Sequence, residues 1–208
     1  MDITQELQKY DVSRETIEKL RVFVSLLQEW NTKMNLVSKN SLTEVWLRHI
    51  LDSLQLIQYI PANTELLLDI GSGAGFPAVV LAIVMQEKMP NAKWILVESI
   101  TKKTVYLNDV SAKLGLKNVQ IENIRVENLK LRNINVVTAR AVAALDVLCG
   151  YASSMSGKNT KCLFLKGKTY QEELQKAREK WLFDCITHQN IYSDDGVLLE
   201  ISNLRKRK

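Results

Sequence analysis

Two hydrophobic rhythms divide the chain near Pro61. Before it, Ile17, Leu20, Phe23, Val24, Leu27 and Trp30 recur at three- and four-residue intervals and predict one helix, with Ser13 as its cap and Glu15 in its first turn. A polar break, "NTKMNLVSKN", precedes a second helical pattern through Val45, Trp46, Ile50, Leu51, Leu54 and Ile57, which Ser41 and Glu44 are spaced to open as a capping box. From Leu66 the rhythm shortens to β-rich runs, "ELLLDI", "KWILVES", "NVQIEN", "INVVTA" and "KCLFLK". They alternate with helical stretches from Pro77, from Thr101 to Leu114 with Gly115 as the stop, and near Val142 to Tyr151. Such alternation implies a parallel sheet covered on both faces. A charged helical stretch, "YQEELQKAREKW", then leads to "CITHQNIYS" and "GVLLEIS" on either side of "DDG", an antiparallel hairpin that raises the strand count to seven.

The pattern predicts an α/β chain: a helical extension over residues 1–60 and a doubly wound, mostly parallel unit over 61–208. A content of 46% hydrophobic residues in 208 is enough to fill its core. The apolar run Ala78 to Met85 is far shorter than the ~20 residues of a membrane span, and "MDITQELQKY" has no basic segment leading into an apolar one. A cytoplasmic protein without membrane contact is expected. Three widely spaced cysteines, Cys149, Cys162 and Cys185, and only two histidines argue for reduced thiols and against a metal centre. Of the net charge of +5, the terminal "RKRK" supplies four, so the rest of the chain is nearly neutral. A frayed, solvated tail explains that run as well as a nucleic-acid contact does, and a monomer is expected.

The candidate chemistry begins at "LLLDIGSGAGFPAVVLA", where an acid and three alternate glycines join the first strand to a helix. A phosphate-binding loop needs a Lys and a Ser or Thr where this chain has Phe76 and Pro77. The dinucleotide fingerprint needs its third glycine one residue later than Gly75. A plain tight turn is the remaining alternative. The spacing of Asp69, Gly71, Gly73 and Gly75 resembles motif I of the class I methyltransferases, in which the turn cradles S-adenosylmethionine. Glu98, closing the second strand, stands where an acid takes up a ribose diol; Val126 and Glu127, after the third, stand where an adenine edge would lie.

The fourth strand is followed by "VVTARAVAAL" in place of an Asn or Asp followed by Pro-Pro and an aromatic, which marks methylation of exocyclic amines. Cys149, inside a helix, reads as a core thiol and not as a nucleophile. A ring nitrogen such as guanine N7 has a free lone pair and needs no base, so positioning alone suffices. Arg140 is the catalytic candidate, placed to donate to a guanine edge, the cofactor or a phosphate, with a plain salt bridge at the helix start as the alternative. Its replacement by alanine is expected to lower methyl transfer and leave the fold intact.

The stretches "WNTKMNLVSKN", "RHILDSL", "DIGSGAGFPAVVLAI", "RVENL", "ARAVAAL" and "FLKGK" resemble the small-subunit ribosomal RNA guanine-N7 methyltransferases, the glucose-inhibited division protein B family, over nearly the whole chain. The resemblance implies a class I, Rossmann-like methyltransferase fold, S-adenosylmethionine as cofactor with contacts at Gly71, Phe76, Val126 and Glu127, and a role for Arg140. It also implies a guanine of the 530 loop of 16S ribosomal RNA as target, and the small subunit as partner. Ala74, Ala78 and Ala139 stand where family members often carry Pro, Gly and Ser. With the resemblance, Arg48, His49 and Asp52 are expected on one helix face over the cofactor cleft, and Lys166 is expected to reach RNA phosphate or the cleft. A small-molecule methyltransferase and a catalytically silent RNA-binding assembly factor are the competing readings.

Overall fold

In the computed structural model, which describes residues 3–207, seven strands form one sheet. They are β1 (Leu66–Ile70), β2 (Lys93–Val97), β3 (Val119–Glu122), β4 (Ile134–Arg140), β5 (Ser156–Lys166), β6 (Trp181–Gln189) and β7 (Val197–Lys206), in the spatial order β3-β2-β1-β4-β5-β7-β6. The first five run parallel; β7 inserts antiparallel between β5 and β6, so the hairpin finishes one edge of the sheet as its turn residues predict.

Alternation along each central strand builds two cores. Leu67, Trp94, Leu96, Leu163 and Leu198 face one side; Leu68, Ile95, Val97, Phe164 and Leu199 face the other. The second face is covered by α7 (Leu145–Met155) and α8 (Tyr170–Lys180). The first is covered by α5 (Ala78–Met85) and α6 (Thr101–Leu114), outside which lie the N-terminal helices α1 (Ile3–Gln8), α2 (Arg14–Asn31), α3 (Lys39–Thr43) and α4 (Asp52–Leu54). Every residue of α5 is buried, which is why a further helical layer is required: a helix apolar all round is stable only when covered on both sides. Phe23 of α2 meets Phe76 at 5.4 Å between ring centroids, and Trp30 donates to Asp109 Oδ2 at 2.8 Å, fixing that layer on the glycine turn and α6.

Several boundaries differ from the sequence expectation for local reasons. Ser13 caps α2, accepting from Thr16 N at 3.1 Å, as predicted. Ser41 caps nothing: it lies inside α3, whose cap is Ser38, and Glu44 reaches toward Arg48 instead of back to Ser41. The second helical pattern is not one α-helix. A π-type turn over Trp46–Leu51 leads through α4 into a 3₁₀ turn at Gln55–Tyr59, and residues 49–56 are all buried. The helix expected from Val142 starts at Leu145, because Ala141 turns the chain with φ +54°. The basic run is no frayed tail either: Lys206 pairs with Trp181 and Arg205 with Leu182 in the edge hairpin. Lys208 falls outside the described residues, as do Met1 and Asp2 of the N-terminal stretch. Among the described residues, no helix is long and apolar enough to cross a membrane, and no group of three His, Cys, Asp or Glu is placed to hold a metal ion.

Candidate active site

The carboxyl ends of β1, β2, β4 and β5 lie side by side, which collects the residues that follow them at one edge of the sheet. After β1 the chain makes the glycine turn. Gly71 has φ +67° and Gly75 φ +92°, conformations in which a side chain is strained. The turn is held from several directions: Ser72 N donates to Val97 O at 3.0 Å, Tyr106 Oη donates to Ala74 O at 3.0 Å, and Gly73 N donates to Glu98 Oε2 at 3.1 Å. Glu98 is buried, and its other oxygen accepts from Ile100 N at 2.8 Å, so the acid at the end of β2 is oriented by backbone from both sides. A Cβ at Gly73 would meet Gly71 O at 3.6 Å and Glu98 Oε2 at 4.0 Å, so space alone does not exclude a side chain there.

Asp69 is not exposed on the turn. At 1% exposure it lies beneath the turn, where its Oδ1 accepts from Thr138 Oγ1 at 2.6 Å while Oδ2 has no partner. Burial pushes its carboxyl up to about 7 against the opposing hydrogen bond from Thr138. This has a testable sign. Below the ordinary carboxylate range the folded and unfolded chains both carry the proton. Between there and about pH 7 only the folded chain keeps it, so stability falls as pH rises, and above 7 the loss is complete. Asp69→Asn escapes the ionisation, so denaturant unfolding at pH 4 and pH 8 is expected to show the variant gaining on the wild type by up to ~4 kcal/mol. A pH-independent difference would show that Asp69 ionises normally.

Arg140 ends β4. Its Nη2 donates to Arg48 O at 2.7 Å, and Nη1 lies 2.8 Å from Asp52 Oδ2 without the alignment of a hydrogen bond, so the Nη1 protons have no aligned acceptor. Asp52 is itself built in: Gln55 Nε2 donates to its Oδ1 at 2.8 Å and Asn190 Nδ2 at 2.5 Å. Burial raises its pKa, and Arg140 foremost, then Asn190 and Gln55, oppose the rise. The alternative of a salt bridge at the following helix start is thus replaced by a pair that ties the N-terminal layer to the sheet. Removing Arg140 leaves Asp52 buried without its counter-charge, so the fold is not expected to escape unaffected.

Of the trio Arg48, His49 and Asp52, the first and last both line the cleft and His49 does not. Arg48 is exposed beside Glu44, Asp52 turns to Arg140, and His49 turns inward to stack on Phe76 at 4.6 Å. Neither His49 ring nitrogen has a partner, and burial, with Arg140 and Arg48 nearby, lowers its pKa to about 3, so it is a neutral imidazole behind the glycine turn. Lys166 is neither solvated nor extended toward a phosphate: its side chain is 9% exposed, Nζ donates to Ala143 O at 2.8 Å and it forms an ion pair with Glu173 Oε2 at 2.6 Å. After β3, Val126 and Glu127 stand in a 3₁₀ turn. Val126 packs on the second core, and Glu127 is exposed and accepts from Tyr151 Oη at 3.1 Å.

Arg48, Asp52, Arg140, Lys166, Glu173 and Asn190 line one cleft of about 580 Å³ beside the turn. Val142 closes it toward Gly71, where a Cβ would fall 2.7 Å from a Val142 methyl. Glu173 and Asn190 escape the sequence reading. Each is one polar residue in a polar stretch, and the only signal for Glu173 is the need of a buried Lys166 for an acid nearby. Cys149 is buried and its thiol is pushed up to about 12, which leaves no thiolate for attack on a base.

Residues 16–198 match the profile of the family described as GidB: rRNA small subunit methyltransferase G. The chain is 43% identical over 196 residues to the ribosomal RNA small subunit methyltransferase G of Rickettsia akari (strain Hartford), covering 94% of this chain and 98% of that one. Its fold is similar to that of a SAM dependent methyltransferase from Aquifex aeolicus, with a TM-score of 0.60, 13% identity and coverage of 86% of this chain and 97% of that one. It is also similar to M. jannaschii TYW2 in complex with AdoMet, with a TM-score of 0.53, 13% identity and coverage of 76% and 77%. These likenesses fit the seven-stranded, mostly parallel sheet of a class I methyltransferase.

Proposed function

The chain belongs to the GidB family of rRNA small subunit methyltransferases G, and on that premise we propose that it methylates N7 of a guanine in the 530 loop of 16S ribosomal RNA in the cleft beside Arg140. It is an S-adenosylmethionine-dependent methyltransferase of small-subunit ribosomal RNA. The finer reading is carried by one arrangement: a glycine turn whose Gly73 N is bonded to the buried carboxylate of Glu98, and, past Val142, a cleft lined by a guanidinium with undirected donors. Glu98 suits the ribose diol of a nucleoside cofactor. Residues 1–60 act as an extension of the catalytic unit, 61–208, and complete its site through Asp52.

Gly71, Gly73, Gly75 and Phe76 would hold the cofactor along the turn, Glu98 at the ribose, Val126 and Glu127 at the adenine. S-adenosylmethionine, when bound, supplies a methyl group already activated by its sulfonium. Arg140 orients the guanine, and Arg48, Asp52 and Lys166 bound its pocket, with His49 supporting Phe76 from behind. Guanine N7 loses no proton on attack, so direct in-line transfer needs alignment within about 3–3.5 Å and no general base. The neutral, buried state of His49 and the raised thiol of Cys149 agree with that requirement. The proposed setting is the cytoplasm, the proposed form a monomer without metal.

Incubation with methyl-labelled S-adenosylmethionine and unmodified small subunits is expected to place label in the ribosomal RNA. Label in a metabolite fraction without RNA would favour the small-molecule reading; subunit association without transfer would favour an assembly factor.

A further inference from the structure

We propose that Glu173 is a specificity-determining residue that, with Lys166, reads the O6 and N1–H edge of the target guanine. The inference rests on the guanine-N7 reading above and adds the atoms by which the base is told from other purines. Lys166 has three N–H donors; Ala143 O takes one, and Glu173 Oε2 pairs with the ammonium as an ion pair at 2.6 Å. Glu173 Oε2 is engaged, accepting from Leu145 N at 2.8 Å and ion-paired with Lys166 Nζ at 2.6 Å. Its Oε1 has only a long contact of 3.4 Å from Thr169 Oγ1 and keeps acceptor capacity. A spare donor and a spare acceptor therefore stand side by side, held by backbone on both sides, in the wall of the cleft that Arg140 also lines. The side chains are 9% and 22% exposed, so a base reaching them loses competing water.

The polarity of this pair selects its partner. Guanine presents an acceptor, O6, next to a donor, N1–H, which match Lys166 and Glu173 Oε1 and leave N7 unencumbered. Adenine presents an amino donor next to a bare N1 acceptor, so both contacts become unfavourable. The carboxylate also cancels the ammonium charge. The pair is then suited to a neutral base, whereas a phosphate would favour an uncompensated lysine. Binding a purine of the wrong polarity would leave both groups buried and unpaired, which sites of this kind penalise heavily.

The test uses small subunits assembled on semi-synthetic ribosomal RNA that carries guanine, inosine or 2,6-diaminopurine at the target position. Inosine keeps O6 and N1–H and lacks only the 2-amino group; diaminopurine keeps that group and reverses the O6 and N1 polarity. The wild type is expected to methylate guanine and inosine at similar rates and diaminopurine roughly 100-fold more slowly. Glu173→Gln retains an acceptor for Leu145 N but offers the base an ambivalent amide, and the guanine-to-diaminopurine ratio is expected to narrow roughly 10-fold or more. The ratio is independent of how much of the variant is folded. An equal slowing on all three bases would make Glu173 only a helix cap and overturn the proposal, as would strong rejection of inosine by the wild type. If the wild type methylates no guanine at N7, the underlying reading fails and this one with it.

Discussion

Replacing Arg140 with alanine is expected to lower methyl transfer at least about 100-fold, the range of a lost positioning or charge-stabilising contact, and to destabilise the fold by ~3–5 kcal/mol. The second effect follows from Asp52, which is buried, is 2.8 Å from Nη1, and relies on Arg140 as the leading influence opposing its desolvation. Left alone, the carboxylate must either stay charged in a poor solvent or take up a proton. The two effects separate in the double variant Arg140→Ala with Asp52→Asn, which removes both charges while the Asn side-chain oxygen can still accept from Gln55 and Asn190. Denaturant unfolding is expected to show most of the lost stability recovered, while the transfer rate remains low. Recovery of both would reduce Arg140 to a structural partner; loss of neither in the single variant would remove it from the site.

Gly75→Ala is expected to be the most damaging single methyl addition. The residue has φ +92°, and a Cβ there would fall 2.8 Å from Val79 Cγ2 and 3.3 Å from Phe23 Cζ. Val79 is a stiff, buried side chain of α5, and Phe23 is fully buried in the α2 layer, so neither has room to yield. Backbone strain of ~1–3 kcal/mol adds to an overpacking cost of similar size. The turn must therefore rearrange, and the register of Gly71 and Gly73 against Glu98 goes with it. Calorimetric titration is expected to show no detectable uptake of S-adenosylmethionine by the variant, together with a melting temperature lowered by several degrees. Undiminished binding would show that the turn does not form the cofactor cradle.

The parts of the fold that were legible in the sequence are those set by local periodicity. Alternate residues of "ELLLDI" and "KWILVES" enter opposite cores, so the covered parallel sheet can be read from the apolar pattern of the chain, and the "DDG" turn announces the edge hairpin. The glycine turn was legible because three alternate glycines after an acid fit few ligands. Pairings between distant segments were not. Asp52 meets Asn190 across 138 residues, and nothing near either position signals the other. Lys166 and Glu173 are joined across a loop whose residues have no hydrophobic period. The inward turn of His49 comes from a π-type turn that the apolar spacing around it, read at 3.6 residues per turn, does not anticipate. The basic C-terminal run looked like a tail because charge suggests solvation, yet Arg205 and Lys206 pair with the edge strand β6 past the point where β5 ends its pairing.

The central claim is that this cleft moves a methyl group onto a guanine N7. Its most direct test is cleavage of the RNA at 7-methylguanine, after reduction and aniline treatment, following incubation of unmodified small subunits with the protein and S-adenosylmethionine. The wild type is expected to create one new cleavage site, in the 530 loop, that the Arg140→Ala, Asp52→Asn double variant fails to create. Label incorporated without any new cleavage, or equal cleavage by the double variant, would contradict it.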